Sequence, residues 1–83
     1  MNELIRSSEE TPMNSQVEVI SVELEGQTFY GVMEVYPVEG GVRCRVHHAL
    51  SIQETNPVWG TDAEERHNMK VRAEAMLLEL ATV

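Results

Sequence analysis

Hydrophobic and polar residues alternate along three segments of the chain, 17–24, 27–37 and 42–50. This spacing is typical of β-strands with one buried face. The pairs Glu25-Gly26 and Glu39-Gly40 separate the segments, and glycine supplies the positive φ angles that tight hairpin turns require. The pattern therefore predicts a three-stranded antiparallel meander.

Two-residue turns at these pairs fix which residues lie opposite one another. Val22 then faces Phe29 on the neighbouring strand, and Val35 faces Cys44. Both hairpins place their apolar residues on the same side of the sheet, which is the predicted inner face. That face consists of Ile20, Val22, Leu24, Phe29, Met33, Val35, Val42, Cys44 and Val46.

The same register predicts an outer face that is also partly apolar, because it carries Val17, Val19, Tyr30, Val32 and Tyr36. It places Val19 opposite Val32, and Glu34 opposite Arg45. Aliphatic and aromatic side chains on a second sheet face are typical of a surface that binds a partner. The predicted partner interface consists of Val19, Tyr30, Val32, Glu34, Tyr36, Arg43, Arg45 and His47.

A change to helical spacing follows over residues 61–82. Thr61 and Glu64 have the spacing of a capping box at the helix start. One apolar stripe contains Met69, Ala73, Met76, Leu77 and Leu80. A single helix can cover only one side of a sheet, so we predict a two-layer α+β domain of β-β-β-α order, with the helix packed on the inner face. Residues 51–60 are predicted to be a connection.

Composition divides the chain into a polar segment, 1–16, and a single domain, 17–83. The first segment is rich in Ser, Glu, Asn and Thr and is predicted to be a flexible arm. Residues 1–10 do not show the basic and apolar regions of a secretory signal, and no apolar run in the sequence reaches the length of a membrane helix, so we expect a cytoplasmic protein.

Charge narrows the classes of partner. Fourteen acidic and six basic residues give a net charge of −8. This balance argues against direct binding of nucleic acids or anionic membranes, which attract Lys and Arg. It favours a basic surface on another protein. The predicted acidic rim consists of Glu23, Glu25, Asp62, Glu64 and Glu65.

Candidate catalytic and metal-binding residues are few. Cys44 and His47 have a sequence spacing that occurs in metal sites, but residues three apart on a strand point to opposite faces. Glu64 and His67 have the Glu-x-x-His spacing of di-iron bundles, which need several such helices. We therefore predict no catalytic residue, no metal and no cofactor.

These features predict a non-catalytic interaction protein that binds another protein, and which is expected to form a homodimer. In size, acidity and lack of a catalytic signature the chain resembles the small inhibitors encoded by bacteriophages, including anti-CRISPR proteins. The resemblance rests on these gross properties and implies that the partner is a basic nucleic-acid-binding protein. The alternative is a homodimeric small-molecule-binding domain whose apolar pocket between copies is lined by Met33, Trp59, Met69 and Met76.

Overall fold

The part of the chain that the structure describes forms an antiparallel sheet of four strands and one C-terminal helix. A computed structural model describes residues 15–55 and 57–82. The strands are β1 (Gln16–Leu24), β2 (Gln27–Val38), β3 (Gly41–His48) and β4 (Ser51–Glu54), and the helix is α1 (Ala63–Ala81). The strands lie side by side in sequence order. The α+β class is confirmed, whereas the predicted count of three strands is wrong by one.

The fourth strand lies in the segment that was predicted to be a connection. Ala49 and Leu50 form a tight turn, and His48 pairs with Ser51 across it. Ala49 has a φ of 53°, a value that residues other than glycine rarely adopt. Because this turn contains no Gly, Asn or Asp, the sequence gives no signal for it, and the third strand was predicted to continue to residue 50.

The first two hairpins have the predicted registers. Val22 lies opposite Phe29, and Val35 lies opposite Cys44. At the first turn Glu25 and Gly26 both have positive φ, at 53° and 79°, which identifies a type I′ turn. The twist of this turn suits a two-residue connection between antiparallel strands, and the register follows from it.

The core lies between the inner face of the sheet and α1. Its buried residues are Ile20, Met33, Val35, Cys44, Val46, Met69, Ala73, Met76 and Leu77. Leu24 and Phe29 were predicted to be core residues, but Leu24 is 40% exposed and Phe29 is only half-buried. Both residues lie near the β1–β2 turn, at one end of the sheet. Because α1 also ends there, the helix covers them incompletely.

Gly31 allows α1 to approach the sheet closely. A Cβ atom at this position would lie 2.7 Å from Leu77 Cδ1 and 2.8 Å from the His47 carbonyl oxygen. Leu77 is fully buried, so it occupies the space above the glycine. The absence of a side chain at Gly31 is therefore part of the core packing.

The helix begins one residue later than predicted. Asp62, rather than Thr61, is the N-cap, and its Oδ1 accepts a hydrogen bond of 2.8 Å from the Glu65 backbone N–H. Glu65 Oε1 in turn accepts from the Gly60 N–H at 3.1 Å. Asp62 and Glu65 thus replace Thr61 and Glu64 at the helix start, but the reciprocal bond of a capping box is not formed, because Glu65 accepts from Gly60 and not from the N-cap residue.

Polar contacts hold the first half of α1 above β1. Lys70 Nζ donates to Glu18 Oε2 at 2.7 Å, and an Arg66 guanidinium nitrogen donates to Gln16 Oε1 at 3.2 Å. Both strand residues lie on the inner face. Within the described ranges, no helix has the length and apolarity needed to cross a membrane.

Candidate functional site: the outer sheet face

The outer face is the side of the sheet that α1 does not contact. It carries Val17, Val19, Tyr30, Val32, Glu34, Tyr36, Arg43, Arg45, His47, Ile52 and Glu54. Each residue predicted for the partner interface lies on it. The side chains of Val17, Val19, Tyr30 and Ile52 are between 61% and 69% exposed. The described part of the chain therefore leaves much of this apolar surface in contact with water.

Two rows of residues cross all four strands on this face. One row consists of Val19, Val32, His47 and Ile52, so three of its four residues are aliphatic. The next row consists of Val17, Glu34, Arg45 and Glu54, so it is mainly charged. An apolar row thus lies directly beside a charged one.

The charged side chains form a connected network. Arg45 donates to Glu34 and to Glu54, each at 3.4 Å. His47 Nε2 lies 3.0 Å from Glu34 Oε1, so Glu34 contacts both basic residues. The Arg45 guanidinium also lies 4.3 Å from the centre of the Tyr36 ring, which is a cation–π contact. These contacts fix the orientation of polar groups at the centre of the face.

A shallow depression lies where the two rows meet. Its volume is about 330 Å³, and it is lined by Val17, Val32, Glu34 and His47. Most of its surface is apolar, and the Glu34–His47 pair supplies its polar wall. A depression of this kind can accept one apolar side chain of a partner beside a hydrogen-bonding group.

Three residues of this region were missed by the sequence analysis. Ile52 and Glu54 extend the two rows on β4, and Leu50 is 100% exposed at the β3–β4 turn. The signal for the strand was weak, because Ile52 is the single apolar residue between Ser51 and Thr55. The signal was too short to identify a strand without a recognisable turn before it.

The predicted acidic rim lies at two separate places. Glu23 and Glu25 lie at the β1–β2 turn. Asp62, Glu64 and Glu65 lie at the start of α1, which is near the opposite end of the sheet because Arg66 reaches Gln16. The acidic residues therefore flank the sheet at its ends and do not surround the apolar row.

The structure does not bring together the candidate catalytic and metal-binding residues, which are Cys44, His47, Glu64 and His67. Cys44 is fully buried on the inner face, where burial raises the pKa of its thiol, an effect that a hydrogen bond with Thr55 partly offsets. His47 lies on the outer face. Glu64 and His67 are exposed on the first turns of α1. Among residues 15–55 and 57–82, no three His, Cys, Asp or Glu side chains are grouped as metal ligands would be.

The methionines considered for a pocket between copies lie in the core. Met33, Met69 and Met76 are each at most 3% exposed, and Trp59 is a partly buried residue that packs against the core. Their side chains therefore stabilise the contact between the helix and the sheet.

Comparison with known proteins adds no relative. No family model, no curated protein and no solved structure matches this chain.

Proposed function

We propose that this chain is a non-catalytic interaction protein whose outer face binds another protein. The observation that carries the proposal is the exposed apolar row on a sheet whose opposite side packs against α1. Val19 and Ile52, at the two ends of the row, are 69% and 61% exposed. A partner that covers this row would remove apolar surface from water, which is the main favourable term in association.

The size of the face supports a specific contact. Four strands at about 4.8 Å spacing give a width of roughly 19 Å, and Tyr30 to Tyr36 on β2 spans about 20 Å. The projected area, with the apolar and charged rows taken together, is therefore roughly 400 Å², so the face can form the centre of an interface that buries about 800 Å² on each partner. The shallow depression between Val32 and His47 would accept the anchoring side chain.

Charge favours a basic partner. The net charge is −8, and acidic residues flank the sheet at both of its ends. Complementary charge speeds encounter and selects among partners more than it raises affinity. The partner class that suits this charge is a protein with a basic, nucleic-acid-binding surface. The chain would then act as an inhibitor that occupies that surface, which is the role that its resemblance to small phage-encoded inhibitors implies.

The experiment is affinity capture from a bacterial lysate with three forms of the tagged protein. The outer-face variant is Ile52→Asp, and the matched control is Val71→Asp on α1, where the side chain is 51% exposed. Both variants add the same charge at an exposed β-branched aliphatic residue. We expect each to change the free energy of unfolding by less than about 0.5 kcal/mol.

The proposal predicts one protein that is retained by the unmodified chain and by Val71→Asp but not by Ile52→Asp. Raised salt should weaken its retention if the acidic residues contribute. Identification of a nucleic-acid-binding protein would support the partner class. Retention that is equal for all three forms, or retention of nothing specific, would contradict the proposal.

A further inference from the structure

The two edges of the sheet are built differently. β4 has four residues, and after Thr55 the chain leaves the ladder at Pro57 and Val58. Short strands, proline and irregular backbone are the devices by which proteins prevent an edge from pairing with another strand. β1 has nine residues, contains no proline and pairs with β2 without interruption. Only the β1 edge lacks these devices.

The turn between β1 and β2 determines which backbone groups this edge leaves free. In a type I′ hairpin the residues that flank the turn, here Leu24 and Gln27, exchange both backbone hydrogen bonds. Hydrogen-bonded and non-hydrogen-bonded pairs then alternate along the strand. The odd-numbered residues of β1 therefore direct their N–H and C=O groups away from β2: Val17, Val19, Ser21 and Glu23.

The side chains of β1 suit an antiparallel copy of the same strand. A two-fold axis at Ile20 pairs all nine residues of the strand, and places Glu18 opposite Val22 and Glu23 opposite Val17. Registers centred on Glu18 or on Glu23 would place a carboxylate opposite its own copy, which is destabilising. The register with the greatest overlap is therefore also one in which no acidic residue faces another.

The remaining charge on the inner side of this edge is already balanced. Glu18 accepts a hydrogen bond of 2.7 Å from Lys70 of the same chain. Its carboxylate would thus enter the contact as an ion pair, opposite an aliphatic residue. A charge that points inward on an edge strand commonly blocks pairing, and the Lys70 contact removes much of that obstacle.

We propose that β1 pairs with β1 of a second copy around this axis and joins two sheets into one of eight strands. Both helices then lie on one side, and both outer faces form one continuous surface on the other. Val17 and Val19 of each copy lie at the centre of that surface. The inference is independent of the partner proposed above, because the pairing uses the backbone edge of β1.

The first test is the molar mass by light scattering over a concentration series. We expect the chain of 9.4 kDa to approach twice that mass as concentration rises. The Ser21→Pro variant loses a backbone N–H that points away from β2 and keeps its hydrogen bonds to β2, so it should remain a monomer. The matched Ser21→Thr variant should dimerise like the unmodified chain. Ile52→Asp should also dimerise, which separates this inference from the proposed function.

Two results would overturn the inference. One is a monomer at every concentration up to about 1 mM, because a dimer with a Kd weaker than about 1 mM has a negligible free energy of association. The other is a dimer that persists in Ser21→Pro and dissociates in Val32→Asp, because the outer faces would then form the contact.

The register provides a second test that does not depend on the folding of the proline variant. In the proposed pairing Val19 lies opposite Ser21 of the other copy, with Cα atoms about 5.5 Å apart, a distance that a disulfide can bridge. An oxidised mixture of Val19→Cys and Ser21→Cys should therefore form mostly the mixed disulfide. Random pairing, or no cross-linking, would contradict the register. The buried Cys44 leaves this readout undisturbed.

Discussion

The two faces of the sheet have similar aliphatic residues in different environments. Val46 on the inner face is fully buried, whereas Val19 on the outer face is 69% exposed. Both alternate with polar residues along regular strands, so the local pattern does not separate them. The difference arises because residues 15–55 and 57–82 supply one helix, and that helix packs on one side. Burial on the inner face is determined by topology, whereas the outer face has similar side chains that no other described part of the chain covers.

The largest expected effect comes from one substitution made in both environments. Leu77→Ala removes a fully buried side chain and should lower the free energy of unfolding by about 2–5 kcal/mol. Leu50→Ala removes the same atoms from a fully exposed residue and should change it by less than about 0.5 kcal/mol. Urea unfolding of both variants measures the difference. Similar losses would mean that Leu50 is covered in solution.

Gly31→Ala tests how closely the helix approaches the inner face. The added methyl group would meet Leu77 and the His47 carbonyl at less than 3 Å, so we expect a loss of about 1–3 kcal/mol. Thr28→Ala is the control, because Thr28 lies on the outer side of the same strand and is exposed. Urea unfolding should show no more than a small loss for the control. Equal stability of both variants would contradict the close packing above Gly31.

The buried thiol makes the inner face sensitive to alkaline pH. Burial raises the pKa of Cys44 above its ordinary value of 9.0, so the folded chain keeps the proton at a pH where the unfolded chain loses it. The unfolded state then binds fewer protons, and stability falls as pH rises above about 9. Urea unfolding at several pH values should show a steeper alkaline loss for the unmodified chain than for Cys44→Ala. Lys70 is present in both proteins, so its own titration cancels.

The smallest expected effect concerns the charged network of the outer face. Glu34→Gln removes the charge that both Arg45 and His47 contact, yet these side chains are partly exposed. We expect a change in the free energy of unfolding of no more than about 1 kcal/mol, reduced further by salt. Glu39→Gln at the exposed β2–β3 turn is the charge-matched control. A much larger loss in Glu34→Gln would mean that the network is structural.

The registers of the first two hairpins could be predicted because Gly26 and Gly40 identified the turns. Once those turns were fixed, alternation determined which residues share a face. The third turn could not be predicted, because Ala49 adopts its positive φ without a residue that favours it. Leu24 shows another limit of prediction from the sequence. Its place in the alternating pattern indicates burial, but the extent of burial depends on how far α1 extends over the strand.

The sequence predicted the part of the candidate site that lies on the first three strands. The pairs of Glu34 with Arg45 and of Val32 with His47 follow from the register alone. The contact between Glu34 and His47 could not be predicted, because it joins residues in adjacent rows through side-chain orientation. Ile52 and Glu54 were missed together with β4.

The sequential order of the strands also bears on how the molecule folds. Each strand pairs with its neighbour in the chain, so the sheet can form by closing short loops only. The hydrogen bonds between α1 and β1 join residues 50 and 52 positions apart, and closing that loop is the entropically costly step. We expect the nine-residue β1 strand to be held firmly only after α1 has packed. Amide hydrogen exchange in Lys70→Ala should then accelerate at β1 more than at β3, and uniform acceleration would mean that β1 does not depend on its contacts with α1 more than β3 does.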